Sequence, residues 1–299
     1  MRIVLYGEDF KLGVLKNEMV IDASEISDGI PHNTPQQMIS SVIENFDSHR
    51  AALENLASKN QGSPVSDIRL RAPLPRPGRL VCMAVNYMEN GTRSEPAPIG
   101  AFNKSTSSII GNGDTIVLPD SGASIYEHEA ELAFVIGKKA ERIKAEDAYD
   151  YIFGYTNIVD VSHRGNREDT SQRSNFFNGK SPHTFGPLGP SIVTADEVAE
   201  PLNLPVKLWV QGDLRQDYNT SDMAHKIPEA LEWITWIMTL EPGDVVATGT
   251  NHQGLGALQD GDTMEIEISN FGKLTNHVSD PLKRTWSRET RAQKAQNNS

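Results

Sequence analysis

Glu129 and Glu131 stand one residue apart at the head of an apolar run, Leu132-Ala133-Phe134-Val135-Ile136-Gly137. Side chains on a strand alternate between its faces, so both carboxylates project from one face, with Glu127 in the same register. Anions held side by side repel unless something neutralises them, and a bound divalent cation commonly does so. The competing reading is a solvated strand edge whose charges discourage aggregation. A third acid, Asp160, lies in the apolar stretch Phe153-Gly154-Tyr155-Thr156-Asn157-Ile158-Val159-Asp160-Val161. An isolated carboxylate in such surroundings is costly or gives up its charge, so Asp160 requires a cation or an arginine. An all-oxygen ligand set suits Mg2+, Mn2+ or Ca2+, whereas zinc favours histidine or cysteine, and no histidine pair has zinc-protease spacing. His128 would point away from Glu129 and Glu131 and reads as structural.

The elements that must position these acids are short. Met1 to Asp22 reads as short strands around Gly7 and Gly13. After Pro35, the residues Met38, Val42, Ile43 and Phe46 recur at helical spacing, and Ala51 to Leu56 continues helix-like. Residues 1–72 are therefore expected to form a small α/β N-terminal domain. Pro73, Pro75, Pro77 and Gly78 make a breaker-rich linker into a main domain over 73–285. There, Ile116-Val117-Leu118, Val245-Val246-Ala247 and Met264-Glu265-Ile266-Glu267-Ile268 read as strands introduced by Gly-Asp turns. Helices are expected from Ala145 to Phe153 and after Pro228, where Ala230, Leu231, Ile234, Ile237 and Met238 share a face. A polar tail, 286–299, is expected to fray from Arg291 onward.

Composition removes several classes of function. With 299 residues and 37% hydrophobic content, the chain can bury one large core, or one core and a small domain. A formal net charge of -12 argues against a general nucleic-acid binder. No apolar run is long enough to span a bilayer, so no membrane partner is expected. The N-terminus lacks the apolar core of a secretory signal, and the single Cys82 lies in the apolar run Leu80-Val81-Cys82-Met83-Ala84. Together these point to a reducing, cytoplasmic setting and to Cys82 as core filler.

Several further motifs accompany the acids in order: Glu127-His128-Glu129-Ala130-Glu131-Leu132-Ala133, Gly154-Tyr155-Thr156 with Asp160 and Arg164, and Gly179-Lys180-Ser181. They are followed by Pro187-Leu188-Gly189-Pro190, Pro242-Gly243-Asp244 and Thr248-Gly249-Thr250. Over residues 79 to 278 or so, this series resembles the fumarylacetoacetate hydrolase superfamily, acylpyruvate hydrolase-like branch. The resemblance implies an α+β, β-rich fold: a mixed β-sheet roll or barrel of the family's C-terminal-domain type, usually homodimeric. It further implies a Mg2+ held by Glu129, Glu131 and Asp160, with Arg164 and Lys180 as catalytic side chains facing substrate or metal. Tyr87, Lys104, Arg167 and Thr250 would contact the substrate.

The implied substrate is a small 2-oxo or 2,4-dioxo acid, whose carboxylate and keto oxygens can chelate a divalent ion. The metal would then act as a Lewis acid on the enolate formed by C–C cleavage or proton abstraction. An ammonium at Lys180 would offset the acid cluster and stabilise charge as it develops. Two departures from the family pattern matter. Arg167 replaces a usual glutamine, which suits a more anionic substrate. Downstream of Asn86-Tyr87, the positions of a water-activating His-Glu dyad hold Asn90 and Arg93, and asparagine cannot serve as a base at neutral pH. Glu89 or Glu95 is the candidate replacement, against the competing reading that both are ordinary exposed loop acids. The expected activity is C–C hydrolysis of an acylpyruvate. Isomerisation, dehydration or decarboxylation is the alternative, and a non-catalytic keto-acid-binding scaffold is the alternative of another class.

Overall fold

The apolar run after Glu131 becomes the strand Ala130–Ile136, buried along its whole length. The computed structural model describes residues 1–59, 61–166 and 176–297. Ala130–Ile136 pairs antiparallel with Ile152–Val159 on one side and with Val245–Ala247 on the other. Val245–Ala247 in turn runs parallel to Leu80–Met83. This sheet is covered on both faces, which is why its central strands read as continuous apolar runs and not as alternating ones.

Leu132, Phe134 and Ile136 join one core with Val206, Leu208, Met264, Ile266 and Ile268 of a second sheet. That sheet has five strands, in the order Asp213–Asn219, Pro205–Val210, Thr263–Ile268, Leu274–Ser279, Thr115–Val117. The helix Ile227–Ile237 closes the same core through Ile227, Leu231 and Ile234. Ala133 and Val135 point the other way, onto Ile39, Val42 and Leu53 of the helices Pro35–Glu44 and Phe46–Lys59. Each large buried aliphatic side chain contributes roughly 1.5–3 kcal/mol, so both cores are substantial. The sheets are mixed and, among the described residues, do not close into a barrel.

The N-terminal segment is stitched into this body. Arg2–Tyr6 pairs antiparallel with Gly186–Thr194, through Arg2↔Val193 and Ile3↔Ile192, so the first strands extend the main sheet. Gly13 sits inside the strand Lys11–Lys16 and does not break it. Between the proline residues of the expected linker, Leu74 is fully buried.

Two expectations change. The segment expected as a helix from Ala145 to Phe153 is a short 3-10 turn, Ala145–Tyr151, after which Ile152 already opens a strand. Long-range pairing decides this. At Gly154 an added Cβ would lie 2.3 Å from the Val193 carbonyl oxygen, a closeness that only glycine permits. The tail expected to fray instead forms the helix Arg291–Asn297. It is pinned by Arg291 N–H to Leu255 O at 2.9 Å and by the Arg291 side chain on buried Glu127. No helix among the described residues is long and apolar enough to cross a membrane.

Candidate active site

Oxygens of Glu129, Glu131 and Asp160 lie within 4.8 Å of one another, and all three side chains are buried. Glu131 is carried by the central strand, while Glu129 precedes it in the short link from the strand Ala123–Glu127. Asp160 directly follows Ile152–Val159, and its N–H bonds to Glu129 O at 2.9 Å, which fixes the two acids side by side. The solvated-edge reading is thereby excluded, because none of the three acids faces solvent.

Cations interleave with them. Lys180 donates to Glu129 Oε2 at 2.7 Å and to Asp160 Oδ2 at 2.5 Å. Lys104 donates to Asp160 Oδ1 at 2.7 Å and also to the carbonyl of Lys180. Arg164 reaches Glu129 through Nη2 and Glu127 Oε2 through Nε at 2.9 Å. Arg291, from the C-terminal helix, holds Glu127 by two bonds at 2.6 and 3.2 Å. Glu127 is thus an arginine-paired support beside the three acids and stands outside their cluster.

The acids do not share these cations equally. Burial opposes ionisation of Glu129, yet the Lys180 ammonium and then Arg164 outweigh it and hold the carboxyl well below the usual range. Glu131 moves the opposite way: burial pushes it well above the usual range, and the anions Asp160 and Glu129 push it further. Its compensations are the more distant Lys180 and one hydrogen bond from Gly249 N–H at 2.8 Å. Burial works against the Lys180 charge, but Asp160 and Glu129 keep its ammonium above its ordinary value.

The expected substrate contacts are distributed differently. Lys104 has no exposed side-chain surface and is engaged by Asp160, so it braces the acid cluster from within. Tyr87 is fully buried, its ring edge-on to Tyr218 at 4.9 Å. Thr250 is buried and accepts a hydrogen bond from Gln216 Nε2 at 2.8 Å. Arg167 lies outside the described residues. Asn90 and Arg93 are exposed, as is Glu95. Asn90 bonds through its backbone to Asp222 and through its side chain to Gln253.

Glu89 is buried, and both of its oxygens engage one residue. Oε2 accepts from the backbone N–H of His252 at 2.7 Å, and Oε1 meets His252 Nδ1 at 2.6 Å. Sequence reasoning missed this partner, as it missed Arg291 and Gln216. Gln216 donates through Nε2 to Thr250 Oγ1 and Asn251 O, so its Oε1 is an acceptor for Ala130 N–H and His128 Nδ1. His128 therefore carries its proton on Nδ1, and burial pushes its pKa down to about 4, a neutral structural histidine in the link between two strands. The only sequence signal for His252 was its place two residues beyond Thr250.

Residues 79–279 match the fumarylacetoacetate (FAA) hydrolase C-terminal family. Oxaloacetate tautomerase YisK of Bacillus subtilis (strain 168) is 34% identical over 297 residues, covering 92% of this chain and 97% of its own. Maleylpyruvate hydrolase of Aquipseudomonas alcaligenes is 32% identical over 291 residues, covering 92% and 98%. Among solved structures, maleylpyruvate hydrolase from Sphingobium sp. SYK-6 aligns with a TM-score of 0.83 at 34% identity, over 94% of this chain and 100% of its own. A further crystal structure of that hydrolase is a complex with manganese(II) ion and pyruvate. With two thirds of its length matched and the acid, lysine and arginine side chains converging in one buried site, the chain belongs to the fumarylacetoacetate hydrolase family.

Proposed function

We propose that this protein is a Mg2+-dependent enzyme that hydrolyses a C–C bond of an acylpyruvate, releasing pyruvate and a carboxylic acid. The observation that carries this is the buried set Glu129, Glu131 and Asp160, three carboxylates with oxygens within 4.8 Å of one another and, among the described residues, Glu131 left without a direct cation. Such a set fits a hard divalent ion, Mg2+ or Mn2+, better than zinc. When bound, the ion supplies Lewis acidity toward the keto and carboxylate oxygens of a 2-oxo acid.

The chain's own residues supply the rest. Four carboxylates, Glu127, Glu129, Glu131 and Asp160, face four cations, Lys104, Lys180, Arg164 and Arg291. The formal balance is zero, so a dication leaves two positive charges in excess. This complements a dianion, either the enolate of a 2,4-dioxo acid or an acylpyruvate with a second carboxylate. Lys180 presents its ammonium where negative charge develops on the leaving enolate, and burial strengthens that interaction by excluding water. The similarity to maleylpyruvate hydrolases over nearly the whole chain supports the same assignment.

Keto–enol tautomerisation is the second reading. It needs no activated water, and it is favoured by the exposure of Asn90 and Arg93 and by the similarity to oxaloacetate tautomerase YisK. One experiment separates them. Purified protein is assayed for pyruvate release from an acylpyruvate panel, with and without Mg2+, in 18O-labelled water. Hydrolysis places one solvent oxygen in the carboxylic acid product. Metal-dependent keto–enol conversion of oxaloacetate without any pyruvate release from the panel selects tautomerisation, and no metal-dependent turnover of either kind refutes the enzyme assignment.

A further inference from the structure

Leu80–Met83 and Val245–Ala247 are neighbouring parallel strands, so the loops that follow them leave the sheet at the same end, beside Glu131. The first loop bears Glu89 and the second His252. In Glu89 the backbone is left-handed, with φ at 56°, and Asn90 follows at 53°, a conformation that costs a non-glycine residue energy and needs support from its surroundings. The support comes from the other loop. Gln253 Nε2 donates to Glu89 O at 2.7 Å, and Asp222 Oδ2 accepts from both Asn90 N–H and Asn251 Nδ2, at 3.0 and 3.2 Å.

The outcome is a carboxylate fastened to one histidine by both oxygens, Oε2 on its backbone N–H and Oε1 on its imidazole. Because Glu89 accepts at Nδ1, the neutral imidazole carries its proton there and offers a lone pair at Nε2. Among the described residues Nε2 forms no hydrogen bond, and the side chain retains 23% of its exposure. Gly249, at the start of the loop that carries His252, donates its N–H to Glu131 Oε2 at 2.8 Å, which seats this loop beside the acids. An oriented imidazole, partly open and carried on a loop beside a metal-type acid cluster, is what Asn90 and Arg93 cannot provide.

We propose that His252 is the general base of the hydrolysis and that Glu89 is its positioning residue, an assignment that rests on the acylpyruvate hydrolase reading. His252 Nε2 takes a proton from water as the water oxygen bonds to the distal carbonyl carbon. The bond from that carbon to the methylene then breaks, and its electron pair passes into the pyruvate enolate. The imidazolium returns its proton to the methylene carbon, so one water is consumed and pyruvate and a carboxylic acid are released. Glu89 holds the tautomer and stabilises the transient positive charge.

The test uses the Mg2+-loaded full chain with acetylpyruvate as substrate and oxalate as an enolate-like ligand. His252→Gln is expected to lower kcat by about 100- to 10,000-fold. Its oxalate affinity should stay within about threefold of wild type, the scale of a group that leaves ligand binding intact. The acid limb of the kcat/KM pH profile should vanish, and imidazole added to His252→Ala should restore turnover. Glu89→Gln, which can still accept one of the two hydrogen bonds, should reduce kcat less and displace the acid limb without removing it. Hydrolysis by His252→Gln at a near wild-type rate, with the acid limb intact, overturns the base assignment while leaving the functional reading in place. Wild-type protein that neither binds oxalate nor releases pyruvate overturns both.

Discussion

Glu131→Gln separates what the acid cluster does for function from what it costs the fold. Carboxylate oxygens at the 4.8 Å limit of this cluster repel by about 3.5 kcal/mol at an effective dielectric of 20. Glu131 faces two such neighbours, Glu129 and Asp160, and the attraction of Lys180 cancels roughly one of them. The net penalty, about 3 kcal/mol, is capped by protonation. A glutamine at this position keeps the acceptor for Gly249 N–H and places an amide donor beside Asp160 and Glu129.

In chelator at pH 7, Glu131→Gln should therefore be more stable than wild type by about 2–3 kcal/mol, roughly 4–6 °C in Tm for a chain of this size. The sign follows from the raised carboxyl. Wild-type stability is fullest below the unfolded value of 4.5 and declines as pH rises toward the higher folded value, so the gap between the two proteins should widen over that interval. Saturating Mg2+ should reverse the order, raising the wild-type Tm by binding only the native state and leaving the variant unmoved. Thermal unfolding across pH 4.5–7, with and without Mg2+, measures all of this. A chelated variant at least 1 kcal/mol less stable than wild type, or a gap that ignores pH, would refute the electrostatic reasoning.

Lys104→Met should lower metal-free stability by about 3–5 kcal/mol in urea denaturation, because it leaves Asp160 buried with one cation fewer. Arg291→Ala should raise KM for a dianionic acylpyruvate several-fold with little change in kcat. It should cost only about 1 kcal/mol of stability, since the arginine is 42% exposed and Arg164 still pairs with Glu127. Asp196 is held down to about 2, chiefly by its hydrogen bond from Arg50, a contact that ties the helix Phe46–Lys59 to the main sheet. Its stabilisation should be lost as pH falls from about 3.8 toward 2. Because the pair is half-exposed, Asp196→Asn should cost no more than about 1 kcal/mol at pH 6 and nothing at pH 2, measured by acid titration of the unfolding midpoint.

The pair Glu129 and Glu131 was legible in the sequence because strand geometry restricts spacing, whereas Asp160 joined them as a ligand through the resemblance to the family. Glu129 lies just ahead of the strand Ala130–Ile136, yet the alternation still brings it beside Glu131. Strand pairing across the chain was not legible. Arg2–Tyr6 shows nothing locally to predict its bonding to Gly186–Thr194, and the helix-like pattern after Ala145 gave way to pairing that only Gly154 allows. The missed residues share that cause. His252 and Glu89 are 163 positions apart, and Arg291 and Glu127 are 164 apart, so neither pair leaves a local motif.

That distribution bears on how one fold supports different reactions. A hydrolase and a tautomerase are each similar to this chain over more than nine tenths of its length, at 32% and 34% identity. An enolate-stabilising cluster serves either reaction, so it cannot decide between them. What hydrolysis needs in addition is a base aimed at water, and the base must come from side chains that can vary without disturbing the sheet. The turn at Met88–Gly91 and the loop at Asn251–Gln253 meet that condition: they bond to each other and to Asp222, while the strands beneath them are paired independently. On the proposed hydrolase reading, changing Glu89 and His252 should therefore shift the reaction from cleavage toward enolisation of the same bound keto acid, a redirection that solvent-hydrogen exchange at the methylene of acetylpyruvate would reveal.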